Sequence, residues 1–217
     1  MDGDILVVAQ KIVSKAEGRQ VRLSTITVSP RATELASTTD KDPRLVELIL
    51  RESREVLRSR PGVLIVEDRR GFVCANAGID RSNVEQEGDE TVLLLPEDPD
   101  VSARTLREEL SVLTGKSIGV VINDSHGRAW REGTVGVAIG LAGVPAVIDR
   151  RGDTDLTGYE LQHTIIGIAD EIAAAASLLM GPADEGVPAV IVRGLQLSAS
   201  KDAATDLQRR RNLDLFR

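Results

Sequence analysis

The chain has 217 residues, of which 41% are hydrophobic and 28% charged, with a formal net charge of −7. That size suits one large domain or two small ones, and the acidic balance argues against a nucleic-acid partner. Aromatic residues make up only 2%, so the core must be built from Val, Ile, Leu and Ala, and platforms for stacking single-stranded bases are lacking.

From the N-terminus, the apolar run DILVVAQ (4–10) reads as a first strand. Lys11 and Lys15 follow it directly. There an extended chain would project both amines toward a shared cleft, as point charges for phosphate; a solvated surface is the alternative reading. No cationic region with an apolar stretch and cleavage site opens the chain, and no run approaches the roughly 18 apolar residues of a membrane span. A cytoplasmic protein with no membrane contact is expected. The single cysteine, Cys74, fits a reducing compartment.

DPRLVELILRESREVLRSR (42–60) reads as one helix, with Asp42 as N-cap, Pro43 in the first turn and Leu45, Ile49 and Val56 on one face. GVLIVED (62–68), FVCANAG (72–78) and TVLLLPE (91–97) read as strands, and RSNVEQEGDE (81–90) as a loop. DVSARTLREELSVLTG (100–115) places Ala103, Leu106, Leu110 and Leu113 at helical spacing and stops at Gly115. SIGVVIND (117–124), VGVAIGLAG (135–143), PAVID (145–149) and PAVIVRG (188–194) read as further strands. Between the last two, LTGYELQHTIIGIADEIAAAASLLMG (156–181) reads as a long helix. Thr157 and Glu160 form its capping box, His163 is structural, and Leu161, Ile165, Ile168, Ile172 and Leu179 face inward. Strands and helices are interspersed without strict βαβ alternation, so a mixed α+β fold is expected. The turn-rich DRRGDTDLTG (149–158) suggests a subdomain boundary near 150. Residues 1–195 form the globular domain and 196–217 a polar tail.

No P-loop, G-x-G-x-x-G turn, H-E-x-x-H or G-x-S-x-G stretch is present. What remains is polar groups at strand ends. CANAGIDRSN (74–83) offers Asn76, Asp80, Ser82 and Asn83, and VVINDSHGR (120–128) offers Asn123, Asp124 and Ser125. Hard cations take oxygen ligands of this kind and keep phosphate oxygens in their shell. Such residues are also the commonest turn formers. Each segment alone fits a turn better than a ligand role; their joint occurrence beside cations moves the balance toward ligands. Arg128 and Arg131 suit bidentate grip on phosphate or carboxylate, against a solvated-surface reading. Trp130 between them packs under the loop or stacks on a ligand.

GDILVVAQKIVSKAEGR, KDPRLVELILRES, GFVCANAGIDRSNV, LLPEDPDVSA, DSHGRAWREGTVGVAIGLAG and PAVIVRG occur in this order between about Asp4 and Gly194. Together they resemble the coenzyme F420-0:L-glutamate ligase family, the γ-glutamyl ligases. The resemblance implies a dimeric α+β ligase fold whose active site is completed by the partner subunit. It also implies GTP-dependent ligation of L-glutamate to coenzyme F420-0 through an acyl phosphate, with Mg²⁺ or Mn²⁺ at two sites and a supporting K⁺. By the same resemblance Gln10, Lys11, Lys15 and Asn83 contact GTP, while Asp80, Asp124 and Ser125 bind metal, Ser125 standing where the family has Thr.

The family also implies a nucleotide-touching loop ahead of the first strand. Here Met1 stands almost on that strand, which points to a misassigned start or to a different way of binding GTP. Where the family has a Gln metal ligand this chain has Pro182, and Glu185 is the replacement oxygen. The C-terminal LDLFR resembles the join to a flavin-binding reductase domain in two-domain relatives, so a single-function ligase is expected. Two other readings remain: a non-catalytic nucleotide- or coenzyme-binding homologue, and a metal-dependent phosphohydrolase using Asp80 and Asp124.

Overall fold

The structure, a computed structural model, describes residues 1–86 and 89–215. β1 (Ile5–Ala9) runs straight into α1 (Gln10–Ala16), followed by β2 (Gln20–Arg22), α2 (Pro30–Thr39) and α3 (Pro43–Arg51). Next come β3 (Ser53–Arg60), β4 (Val63–Asp68), β5 (Val73–Ala75), β6 (Thr91–Leu93) and α4 (Pro99–Thr114). β7 (Gly119–Arg128), β8 (Arg131–Ala142), β9 (Ile148–Asp149), β10 (Ile165–Ile166), α5 (Ile168–Met180) and β11 (Ala189–Val192) complete the order. The fold is mixed α+β, and no helix among the described residues is long and apolar enough to cross a membrane.

Two compact units divide the chain. The first comprises Met1–Ala9, Asp98–Ser125 and Val135–Arg209; the second comprises Gln10–Glu97, His126–Thr134 and the residues from Arg210.

The first unit is built on a sheet in the order β11-β1-β7-β8, with β1 parallel to β7 and antiparallel to β11. Val7, Val8, Val120, Val121 and Ile122 are all buried, as near-continuous apolar strands covered on both faces require. The polar segment after Gly194 is tied into this unit. Asp202 accepts from the Ala146 N–H at 2.9 Å, the Ala204 N–H donates to Asp100 at 3.0 Å, and Ala204 is buried.

The second unit holds the sheet β3-β4-β5 and the pair β2-β6. Leu23, Val46, Ile49, Leu64, Val66 and Val92 lie at the centre of its core.

Helix starts follow local chemistry. Asp42 accepts from the Arg44 N–H, Ser29 from that of Ala32 and Asp98 from that of Val101, each beside a proline in the first turn. α4 stops at Gly115, which is left-handed as expected.

Two expected helices are shorter than their sequence patterns. Helix α3 ends at Arg51, and residues 53–60 form β3 against β4 with two register shifts. Pairing with β4 prevails over the helical propensity of a charged stretch, as tertiary contacts commonly do. The pattern over 156–181 yields a helix only from Ile168, because the Asp155 carboxylate accepts from the N–H groups of Thr157 and Tyr159 and fixes a turn instead. Thr157 and Glu160 therefore cap nothing, and His163 is an exposed loop residue. The late start leaves Leu179 exposed and turns Ala169, Ile172, Ala173, Ala176 and Met180 inward. Leu113 is also exposed. Glu87 and Gly88 of the acidic loop, and Phe216 and Arg217 of LDLFR, lie outside the described residues.

Glu47 couples α2 to α3. Its Oε2 accepts from Ser29 Oγ at 2.6 Å and the Ser29 N–H at 3.1 Å, while Oε1 accepts from Arg51 Nε at 2.9 Å. The Ser29 hydroxyl first, then Arg51, holds this carboxyl below its ordinary value of 4.5. A depressed carboxyl stabilises the fold above its ordinary range and loses that contribution as pH falls through the depressed value. Glu47→Gln is expected to lower stability by about 1.5–3 kcal/mol at neutral pH. In urea melts, its gap to the parent should narrow below pH ~4.

Candidate functional site

Gln10, Lys11 and Lys15 stand on α1, not on an extended chain. Gln10, Val13 and Ser14 are buried, the i, i+3, i+4 stripe of a helix packed on one side. Lys11 and Lys15 are four apart and so share another face. The β-branched Ile12 and Val13 mimic a strand continuing β1.

Asp80 lies on the loop that leaves β5. Three consecutive left-handed residues, Asn76 (φ 54), Ala77 (φ 55) and Gly78 (φ 68), reverse the chain. The Ile79 N–H closes the turn on the Asn76 carbonyl at 3.1 Å. Asp80 then pairs with Leu93 through both backbone bonds, each 2.9 Å. Ala77 is buried in the core, and a left-handed L-residue costs about 1–2 kcal/mol. Asn83, three residues past Asp80, is left-handed as well (φ 56).

With its backbone fixed, the Asp80 carboxylate meets α1. Gln10 Nε2 donates to Oδ2 at 3.3 Å, and Lys11 Nζ stands 3.6 Å from Oδ1 while donating to Ser82 Oγ at 2.8 Å. The structure thus brings Gln10, Lys11, Asp80 and Ser82 together in one unit. Gln10 Oε1 and Ser14 Oγ are buried without a hydrogen-bond partner.

The partly exposed Lys11–Asp80 ion pair contributes about 0–1 kcal/mol, and one orphaned buried acceptor costs about 1–3 kcal/mol. Strain and orphaned polar groups of this kind gather at ligand sites.

In the other unit, Asp124 and Ser125 occupy the outer part of β7, where the Ser125 N–H donates to Asp124 Oδ1 at 2.8 Å. Glu185 lies beyond α5, folded over Gly181, and its Oε2 accepts from the Ala183 N–H at 2.8 Å. Backbone N–H groups, its own first and then that of Ala183, hold its carboxyl below the usual range.

Arg128 and Arg131 flank the two-residue turn of the β7–β8 hairpin, and Arg128 Nη2 donates to the Glu132 carbonyl at 3.2 Å. Trp130, expected to pack under the loop, is exposed at this tip with φ 60. A tight turn carries its side chain outward. His126 meets Phe72 edge-on.

Among the described residues no three His, Cys, Asp or Glu side chains gather at one point. Mg²⁺ and Mn²⁺ need only one or two carboxylates, because substrate phosphates and water complete their shell. The Asp80 carboxylate and the Ser82 hydroxyl are oxygen donors of this kind, met in this structure by Gln10 Nε2 and Lys11 Nζ.

A family model described as F420-0:Gamma-glutamyl ligase matches residues 1–194. The chain belongs to this family. It is 51% identical to the coenzyme F420:L-glutamate ligase of Methanothermobacter thermautotrophicus over all of this chain and 86% of that protein. It is 54% identical to that of Methanopyrus kandleri over 90% of this chain and 76% of that protein. With the Archaeoglobus fulgidus protein of the same name it shares 49% identity, over the whole chain and 85% of the relative. All the strand-end residues considered above lie inside the matched family region.

Sequence reasoning named Asp80 and Lys11 and read Gly78 as the residue that lets the backbone turn, but missed the left-handed Asn76 and Ala77 ahead of it. A Cβ at Gly78 would stand 2.7 Å from Leu95 Cδ1 in a backbone conformation that disfavours side chains. Gly78→Ala is expected to cost about 1–3 kcal/mol. Gly127→Ala, where a Cβ meets nothing within 4 Å, should stay within about 0.5 kcal/mol. Equal urea midpoints for the two variants would contradict the role given to the turn.

Proposed function

We propose that this chain ligates L-glutamate to coenzyme F420-0 with GTP, forming a γ-linked amide through an acyl phosphate. The reading rests on family membership together with one observation: a strained, partly orphaned Asp80–Gln10–Lys11 cluster at the start of α1. A carboxylate is a poor electrophile. Attack of the coenzyme's terminal carboxylate oxygen on the γ-phosphorus breaks the β–γ phosphoanhydride bond and releases GDP. The glutamate amine then attacks the acyl carbon, expelling phosphate and losing a proton. Neither step needs a protein nucleophile, so positioning and charge neutralisation carry the rate. A site of Asp, Asn, Gln and Lys without histidine suits that demand.

In this reading Gln10 and Asn83 position the nucleotide, and Lys11 and Lys15 neutralise its phosphate oxygens. Asp80 in one unit, and Asp124 with Ser125 in the other, each hold a divalent cation, with Glu185 as a further oxygen and K⁺ in support. A bound Mg²⁺ or Mn²⁺ supplies charge neutralisation at the phosphates. Arg128 and Arg131 suit a carboxylate or phosphate of the substrates. The enzyme works as a homodimer in the cytoplasm.

Incubation with coenzyme F420-0, GTP, glutamate and Mn²⁺ is expected to give glutamylated product, followed by mass. Asp80→Ala and Asp124→Ala should abolish turnover with melting temperatures near the parent's, and Lys11→Ala should chiefly weaken GTP binding. Absence of product from a parent that still binds GTP would overturn the proposal. Glutamate-independent phosphate release would favour hydrolysis.

A further inference from the structure

Asn123 immediately precedes Asp124 on β7 and, by strand alternation, points to the opposite face. It is buried. Its Nδ2 donates to Ser177 Oγ at 2.9 Å and to Met180 Sδ at 3.3 Å, while Ser177 Oγ donates back to the Ala173 carbonyl at 2.9 Å. Asn123 Oδ1 has no hydrogen-bond partner. β8 closes over the amide at Gly136. A Cβ there would collide with Ser177 Oγ and stand 2.7 Å from both the Ala173 carbonyl oxygen and Asn123 Oδ1.

Val121, two residues earlier on the same face, is fully buried, so this face of β7 lies in the core, where Asn123 leaves an acceptor unsatisfied. The amide therefore does something that packing alone does not. Its two bonds end in the last turn of α5, at Ser177 and Met180. Directly after Met180 come the left-handed Gly181 and the loop in which Glu185 folds back. Asn123 thus ties the strand segment carrying Asp124 and Ser125 to the helix end that launches the Glu185 loop, all within one unit.

We propose that Asn123 is a positioning residue for the divalent cation assigned to Asp124, fixing that strand end against the last turn of α5. It touches neither metal nor substrate. The inference rests on the cation-dependent reading given above. Groups that orient metal ligands from behind usually matter about 10–100-fold in affinity.

The test is direct Mn²⁺ titration, read as loss of the free-ion electron paramagnetic resonance signal, on the full chain with GTP present. Asn123→Ala is expected to weaken Mn²⁺ binding about 10-fold or more. GTP affinity measured without divalent metal should be unchanged. Ser177→Ala, which removes only the hydroxyl partner, should shift Mn²⁺ binding in the same direction by less, and it serves if Asn123→Ala folds poorly. Parent-like Mn²⁺ affinity in both folded variants would overturn the inference, as would an equal loss of metal-free GTP binding. Failure of the parent itself to bind Mn²⁺ would instead overturn the proposed function.

Discussion

The pairing of Asp80 with Leu93 through both backbone bonds is the constraint on which the candidate nucleotide site depends. It fixes the carboxylate's origin, and the left-handed Asn76–Gly78 turn fixes the direction from which the chain arrives. Gln10 and Lys11 reach that carboxylate from the first turn of α1, within the same unit. A looser entry would let Lys11 extend into solvent, where its charge has more water and less effect.

The balance of terms singles out the same arrangement. Folding favours apolar burial and satisfied polar groups, and most of this chain obeys. Gln10, Ser14, Asn76 and Asn123 do not, each leaving a buried polar atom without a partner. Gln10 and Asn76 flank the Asp80 cluster, and Asn123 adjoins Asp124. Unsatisfied buried groups of this kind call for a reason beyond packing.

Much of the fold could be read from residue chemistry. The caps at Asp42 and Gly115, and strands β1, β4 and β7, follow from local patterns that tertiary contacts reinforce. The split of 42–60 did not follow, because only β4 supplies the pairing that turns Ser53–Arg60 into a strand. Neither did the late start of α5, which depends on the Asp155 turn. α1 was hidden by its β-branched residues, and α2 was overlooked although Ser29 and Pro30 announce its start. At the candidate cluster, Asp80 and Lys11 were legible as residue types following strands. The Gln10–Asp80 bond and the strain at Ala77 were not, since contacts across 70 residues and positive φ at alanine leave no local pattern.

Asp80 as a cation ligand shared with nucleotide phosphate is tested most directly by Mn²⁺ electron paramagnetic resonance with a non-hydrolysable GTP analogue carrying ¹⁷O on its γ-phosphate. The parent is expected to show line broadening by the labelled oxygen, and Asp80→Asn to lose the bound Mn²⁺ while keeping its melting temperature. Unaltered Mn²⁺ binding and broadening in a folded Asp80→Asn variant would contradict that role.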